Sequence, residues 1–149
     1  MRVRAAIDPV RFTEIMYLAK TIWAEARGEG PDGMRLVAWV IRARVESPKW
    51  PDTYASVVTQ RNQFSAWLRG DPNRDKMVDP LAGPDADDAM WYEAIRIAHE
   101  VLDAPASDNP LPGVYHYVDV RLEGRLPSWA QGMEQIRRPE APRIIFLRG

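Results

Sequence analysis

The chain has 149 residues, 46% hydrophobic and 28% charged, with a formal net charge of -1. These proportions suit one globular domain over 1–149 and give no basic excess with which to hold nucleic acid. No cysteine occurs, which excludes disulfides and thiolate metal sites.

Residues 1–8 carry Arg2 and Arg4 but no apolar run of leader length, and no window approaches the length of a membrane span. No membrane insertion is expected, and synthesis in the cytoplasm without a leader is. Asp8-Pro9 reads as a helix start, with Asp at the N-cap and Pro at the first helical position. Phe12, Ile15, Met16, Ala19, Ile22, Trp23 and Ala26 then recur at three- and four-residue steps, the mark of one buried face. Gly28 and Gly30 end that helix. A second helix, from about Met34 to Val45, is apolar all round over Leu36–Ile41 and belongs at the centre of a core.

Ser47-Pro48 breaks the chain, and Trp50-Pro51-Asp52-Thr53 supplies a turn and an N-cap for a short helix through Val57, Val58 and Gln60. Gly70 to Pro84 reads as a long surface loop. Pro84 to Asp88 opens a further helix bearing Met90, Trp91, Ala94, Ile95, Ala98, Val101 and Leu102 at helical spacing. Val114–Val118 alternates as a short strand should, and the apolar run Arg143–Leu147 is a candidate to pair with it. The whole predicts one α+β domain in which helices dominate, with a short β-sheet.

The chemically informative stretch is Ala24–Gly30, Ala-Glu-Ala-Arg-Gly-Glu-Gly, where an amphipathic helix runs out into glycine. A carboxyl group at a helix C-terminus meets partial negative charge, which favours its protonated form. Raising an ordinary Glu pKa of about 4.3 to near 6, the value a glycosidic acid needs, takes roughly 2.3 kcal/mol. The helix end contributes about 0.3–1 kcal/mol, so partial burial of Glu25 must supply most of the rest. Leu18 and Ile22 are the expected apolar wall, and Arg27 would oppose the shift if it paired with Glu25. Glu29 reads as a loop carboxylate or a cap for the next helix, and the two are too close in sequence to be read as an acid and nucleophile flanking a sugar bond. The arginine clusters Arg42/Arg44 and Arg137/Arg138 are given no function.

Leu18 to Val45, followed by Trp50-Pro51-Asp52-Thr53, Gln63-Phe64-Ser65, Tyr115-His116-Tyr117 and Trp129-Ala130, resembles the SleB/CwlJ cell-wall hydrolases, named for spore-cortex lytic enzymes and also found in phage and prophage lysis genes. The resemblance covers about Leu18 to Phe146. It implies a lysozyme-like fold and action on the glycan strand of bacterial peptidoglycan, between N-acetylmuramic acid and N-acetylglucosamine. Glu25 is then the catalytic acid, as in lytic transglycosylases, which leave a 1,6-anhydro product without water. Muramidase-type hydrolysis to a reducing end, and a non-catalytic glycan-binding component of a phage or gene-transfer particle, are the alternatives. No cofactor or metal is implied, and a monomer is expected. Delivery to the wall would come from a holin-like pore or a virion. The chain departs from the family pattern at Ala43, at Val118-Asp119 and over Arg143–Phe146, differences that bear on substrate contacts more than on catalysis.

Glu29, Gln63, Phe64, Ser65, Tyr115, His116 and Tyr117 are the candidate substrate contacts. An amide, a hydroxyl and an aromatic suit acetamido groups, ring hydroxyls and a pyranose face, although Phe64 would serve equally as the buried anchor of a loop. Strand alternation puts Tyr115 and Tyr117 on one face and His116 on the other, and either face could line a cleft or the core. Trp67 and Trp129, outside the clear helices, are candidates for sugar stacking. His99 falls on the polar side of its helix, and two distant histidines without cysteine make a poor zinc site.

Overall fold

The computed structural model describes residues 8–60 and 89–149. The expected loop over Gly70–Pro84 and the acidic opening at Pro84–Asp88 lie outside the described residues. Helix α1 spans Pro9–Ala26, and its start follows from sequence chemistry: the Val10 N–H donates to Asp8 Oδ1 at 2.9 Å, with Pro9 at the head of the helix. Phe12 was expected on the buried face but is 46% exposed, because core packing begins only with Ile15. Every residue from Leu18 to Trp23 is buried, including Lys20 and Thr21. The middle of α1 is therefore enclosed all round, as only the second helix was expected to be.

After α1 comes one 3₁₀ turn, Arg27–Glu29, and then α2, Gly30–Glu46. Its start lies earlier than Met34 because Pro31 suits a first helical turn, where its missing N–H costs nothing. Gly30 has φ +81°, a left-handed conformation that glycine takes without a Cβ clash, and this lets the chain turn from the 3₁₀ segment into α2. Met34 and Leu36 to Ile41 are all buried, as their unbroken apolarity requires. Helix α3, Tyr54–Val58, is capped by Thr53, whose Oγ1 accepts the Ser56 N–H at 3.1 Å. Helix α4, Ala89–Asp103, buries Trp91, Ala94, Ile97, Ala98 and Val101 against α1 and α2.

Three strands complete the domain: β1 Val114–Asp119, β2 Glu134–Arg137 and β3 Ile144–Arg148, in the antiparallel order β1-β3-β2. The expected pairing of β1 with the C-terminal run is present, with Tyr117 opposite Phe146 and Val118 opposite Ile145. β2 gives no sequence signal because it is an exposed edge strand on which only Ile136 packs inward. One face of the sheet puts Phe146 and Ile144 into the helical core. The other gathers Val118, Ile145, Leu147 and Ala130 under the segment carrying Val120, Leu122, Leu126 and Met133. β3 is thus covered on both faces.

Gly33 shows how closely the parts fit: a Cβ there would lie 2.4 Å from Glu29 Cβ and 3.0 Å from the Glu140 carbonyl oxygen. Gly33→Ala is expected to cost about 1–3 kcal/mol by overpacking and to lower Tm by roughly 3–10 °C in a thermal melt.

Candidate active site

Glu25 lies in the last turn of α1, half-buried, at a cleft of about 350 Å³. Glu29, Tyr117, Asp119 and Arg143 bring polar groups to the same cleft, and Ala26, Val118 and Ile144 form its apolar wall. The expected wall was different. Leu18 and Ile22 are fully buried in the helical core and do not line the cleft, which is walled instead by the end of α1 and by residues of β1 and of the approach to β3. Arg27 turns back along α1: its guanidinium carbon sits 3.9 Å from the Trp23 ring centroid, and Nη1 donates to the Trp23 carbonyl at 3.1 Å. The same carbonyl also accepts the Arg27 backbone N–H, so backbone and side chain of one residue close the helix end together.

Two groups surround Glu25 electrostatically. The Tyr117 hydroxyl is shut off from solvent and makes no hydrogen bond of ordinary geometry. Burial first, and then the approach of the Glu25 carboxyl, push Tyr117 well above the usual tyrosine range. The second group is Arg44, only 5% exposed, whose pKa is lowered by burial against the opposing pull of Glu25. An arginine stays charged even so. Glu25 therefore sits in a partly apolar cleft that also feels a buried cation, rather than in the purely apolar pocket expected.

Arg44 also shapes β1. Register shifts between Val114 and His116, so Tyr115 is the extra residue of a β-bulge. Such a residue loses its place in the ladder, and here Arg44 Nε donates to the Tyr115 carbonyl at 2.6 Å. The bulge overturns the expected alternation. Tyr115 and His116 both meet Trp50, at ring separations of 5.1 Å and 5.6 Å, while Tyr117 packs edge-on to Phe146 at 6.2 Å. His116 continues the row to Trp129, 5.2 Å away and 54% exposed.

Of the residues singled out in the sequence, the fold brings Glu25, Glu29 and Tyr117 to one cleft. Tyr115 and His116 lie outside its lining, in the aromatic row. Gln63, Phe64, Ser65 and Trp67 fall outside the described residues. Glu29 occupies the N-cap position of α2 without a side-chain capping bond, which leaves its carboxyl for the cleft. His99 is on the surface, with Nδ1 2.9 Å from Asp103 Oδ2. Among the described residues, no group of three or more His, Asp or Glu is placed to hold a metal ion.

The sequence reading missed Arg44, Asp119, Arg143 and Trp50. Arg44 had a signal: it stands three residues after Ile41 and seven after Val37, on the buried stripe of α2. Asp119 and Arg143 stood out only as departures from the family pattern, since strand pairing is what joins them. The Val120 N–H donates to the Arg143 carbonyl at 2.8 Å, and Asp119 pairs with Ile144. Hydrogen bonds from Arg121 hold the Asp119 carboxyl below the usual range.

A family model described as Cell Wall Hydrolase matches residues 28–145. Spore cortex-lytic enzymes from Oceanobacillus iheyensis and from Bacillus subtilis are each 33% identical over 87 residues, 53% of this chain. The match spans 32% and 28% of those relatives' lengths. The catalytic domain of the germination-specific lytic transglycosylase SleB from Bacillus anthracis superposes with a TM-score of 0.66 at 20% identity, covering 98% of this chain and 100% of that one. The fold is therefore the helix-dominated, lysozyme-like α+β fold that the resemblance implied.

Burial, and then the Arg44 charge, hold His116 below the ordinary histidine range. A depressed folded pKa means that the unfolded chain binds the proton first, so this stabilisation is full above about pH 6.5 and is lost as pH falls through the lower folded value. Urea midpoints are expected to decline from about pH 6.5 toward 5, and His116→Phe, which keeps a ring in the row, to flatten that decline.

Proposed function

Because this chain belongs to the cell wall hydrolase family, matched over residues 28–145, we propose that it cleaves peptidoglycan strands at the β-1,4 bond between N-acetylmuramic acid and N-acetylglucosamine. Glu25 is the proton donor in this reading. The observation that supports it most is the half-buried Glu25 carboxyl at the cleft, beside the enclosed Tyr117 hydroxyl and Arg44.

The chemistry follows from one carboxyl group. Protonated Glu25 gives its proton to the glycosidic oxygen as that bond breaks, and the substrate's own acetamido oxygen supports the positive charge developing at the anomeric carbon. The Glu25 carboxylate then takes the C6 hydroxyl proton as that oxygen closes a 1,6-anhydro ring, which restores the acid. Helix end and partial burial favour the acid before transfer, whereas the Tyr117 hydroxyl and the Arg44 cation favour the carboxylate that transfer creates. The aromatic row ending in the exposed Trp129 is a platform for further sugar rings. Gln63, Phe64 and Ser65 are retained as substrate contacts.

Asp119 favours a second reading. Its ionised carboxylate lines the same cleft and could activate water, giving a reducing end in place of the anhydro sugar. Mass spectrometry separates the two, because the anhydro product is one water lighter.

Glu25→Gln is expected to keep the fold and reduce muropeptide release from purified sacculi by at least about 100-fold. Full activity would remove the mechanism. Glu29→Gln should leave measurable release, and its complete loss would move the acid to Glu29. For Tyr117→Phe, thermal stability should hold, while the alkaline limb of the pH–activity profile moves up, since a hydroxyl dipole that favours the carboxylate is gone.

A further inference from the structure

The cleft carries three carboxyl groups, Glu25, Glu29 and Asp119, and among the described residues Arg143 is its one cation. Every other described arginine is engaged by a carboxylate, a carbonyl or a ring. Arg35 holds Asp32 and Glu100, for example, Arg138 holds Glu140, and Arg148 holds Glu134. The Arg143 side chain makes no ion pair or hydrogen bond among the described residues. Asp119, the acid facing it, is already taken by Arg121, with Nε 3.0 Å from Oδ1 and Nη2 3.2 Å from Oδ2. The guanidinium fork is thus left open toward the cleft.

Its position is set by the fold. The Arg143 carbonyl is fixed by the Val120 N–H at 2.8 Å, immediately before β3 begins. Across the cleft, Nη1 lies 3.6 Å from where a Cβ on Gly28 would stand, so the missing side chain leaves space beside the guanidinium. An open guanidinium recognises a planar anion through two parallel hydrogen bonds. With the Glu29 and Asp119 carboxylates in its lining, the cleft would otherwise repel such a group.

The sugar rings of a peptidoglycan strand are neutral. Its carboxylates sit on the muramoyl arm, as the lactyl carboxylate where the arm is bare and as peptide carboxylates where it bears a stem. We propose that Arg143 anchors a carboxylate of the muramoyl side arm, so that the cleft selects muramoyl-bearing strands over neutral amino-sugar polymers. The inference rests on the glycan-strand reading above and adds to it a specificity-determining residue.

The test uses the Glu25→Gln protein, to prevent turnover, with and without Arg143→Gln, titrated calorimetrically with three soluble tetrasaccharides. These are chitotetraose, the alternating muramoyl tetrasaccharide without peptide, and the same tetrasaccharide with peptide stems. Arg143→Gln should weaken binding of an anionic probe roughly 10-fold, leave chitotetraose unchanged, and be partly rescued by Arg143→Lys. Loss on the bare probe alone assigns the lactyl carboxylate, and loss on the stem-bearing probe alone assigns the peptide; loss on both means that the site accepts either. Equal loss on chitotetraose, or no loss on either anionic probe, overturns the inference. If the wild-type chain releases nothing from sacculi and the Glu25→Gln protein binds none of the three probes, the glycan-strand reading falls and takes the inference with it. Release from sacculi with unchanged binding after Arg143→Gln sinks the inference alone.

Discussion

The hydrogen bond from Arg44 to the Tyr115 carbonyl, 2.6 Å long and partly buried, ties the helical core to the sheet. A buried guanidinium is costly unless its donors and charge are satisfied. Here a bulge provides a carbonyl that the strand ladder cannot use, and the arginine provides the donor that this carbonyl needs. Together they hold β1 against α2, with Tyr115 and His116 turned to Trp50 and Tyr117 turned to Phe146 and Glu25.

The same cation links structure to chemistry. Arg44 acts on Glu25, Tyr117 and His116, so one buried charge bears on the proposed acid, on the hydroxyl beside it and on the neutral imidazole of the aromatic row. A glycosidic acid that must also accept a proton later in its cycle is poorly served by an environment that favours only one protonation state. Apolar walls and a helix end act on the Glu25 carboxyl from one side, a hydroxyl and a guanidinium from the other.

The cleft is assembled from chain termini of elements: the end of α1, the 3₁₀ turn after it, the end of β1 and the approach to β3. Ends of rigid elements can present side chains without disturbing a core, and the two hydrophobic clusters on either face of the sheet anchor those ends. Gly33 shows how little slack remains, since it lets α2 pass close to Glu29 and to the Glu140 backbone.

Local chemistry made much of this legible in advance. The caps at Asp8 and Thr53, the apolar middle of α2, the stripe on α4, the pairing of the two apolar strands and the place of Glu25 at a helix end all depend on residues near one another in the chain. The tertiary structure alone decided the rest. β2 was silent because an edge strand needs no alternating apolar face, and the bulge at Tyr115 was silent because its stabilising donor lies 71 residues away on α2. Arg143 reaches the cleft only through the register of β3 against β1. Short-range patterns record propensity and the burial of a face, whereas the electrostatic surroundings of Glu25 come from long-range pairing, where the residues that meet carry no mark of each other in sequence.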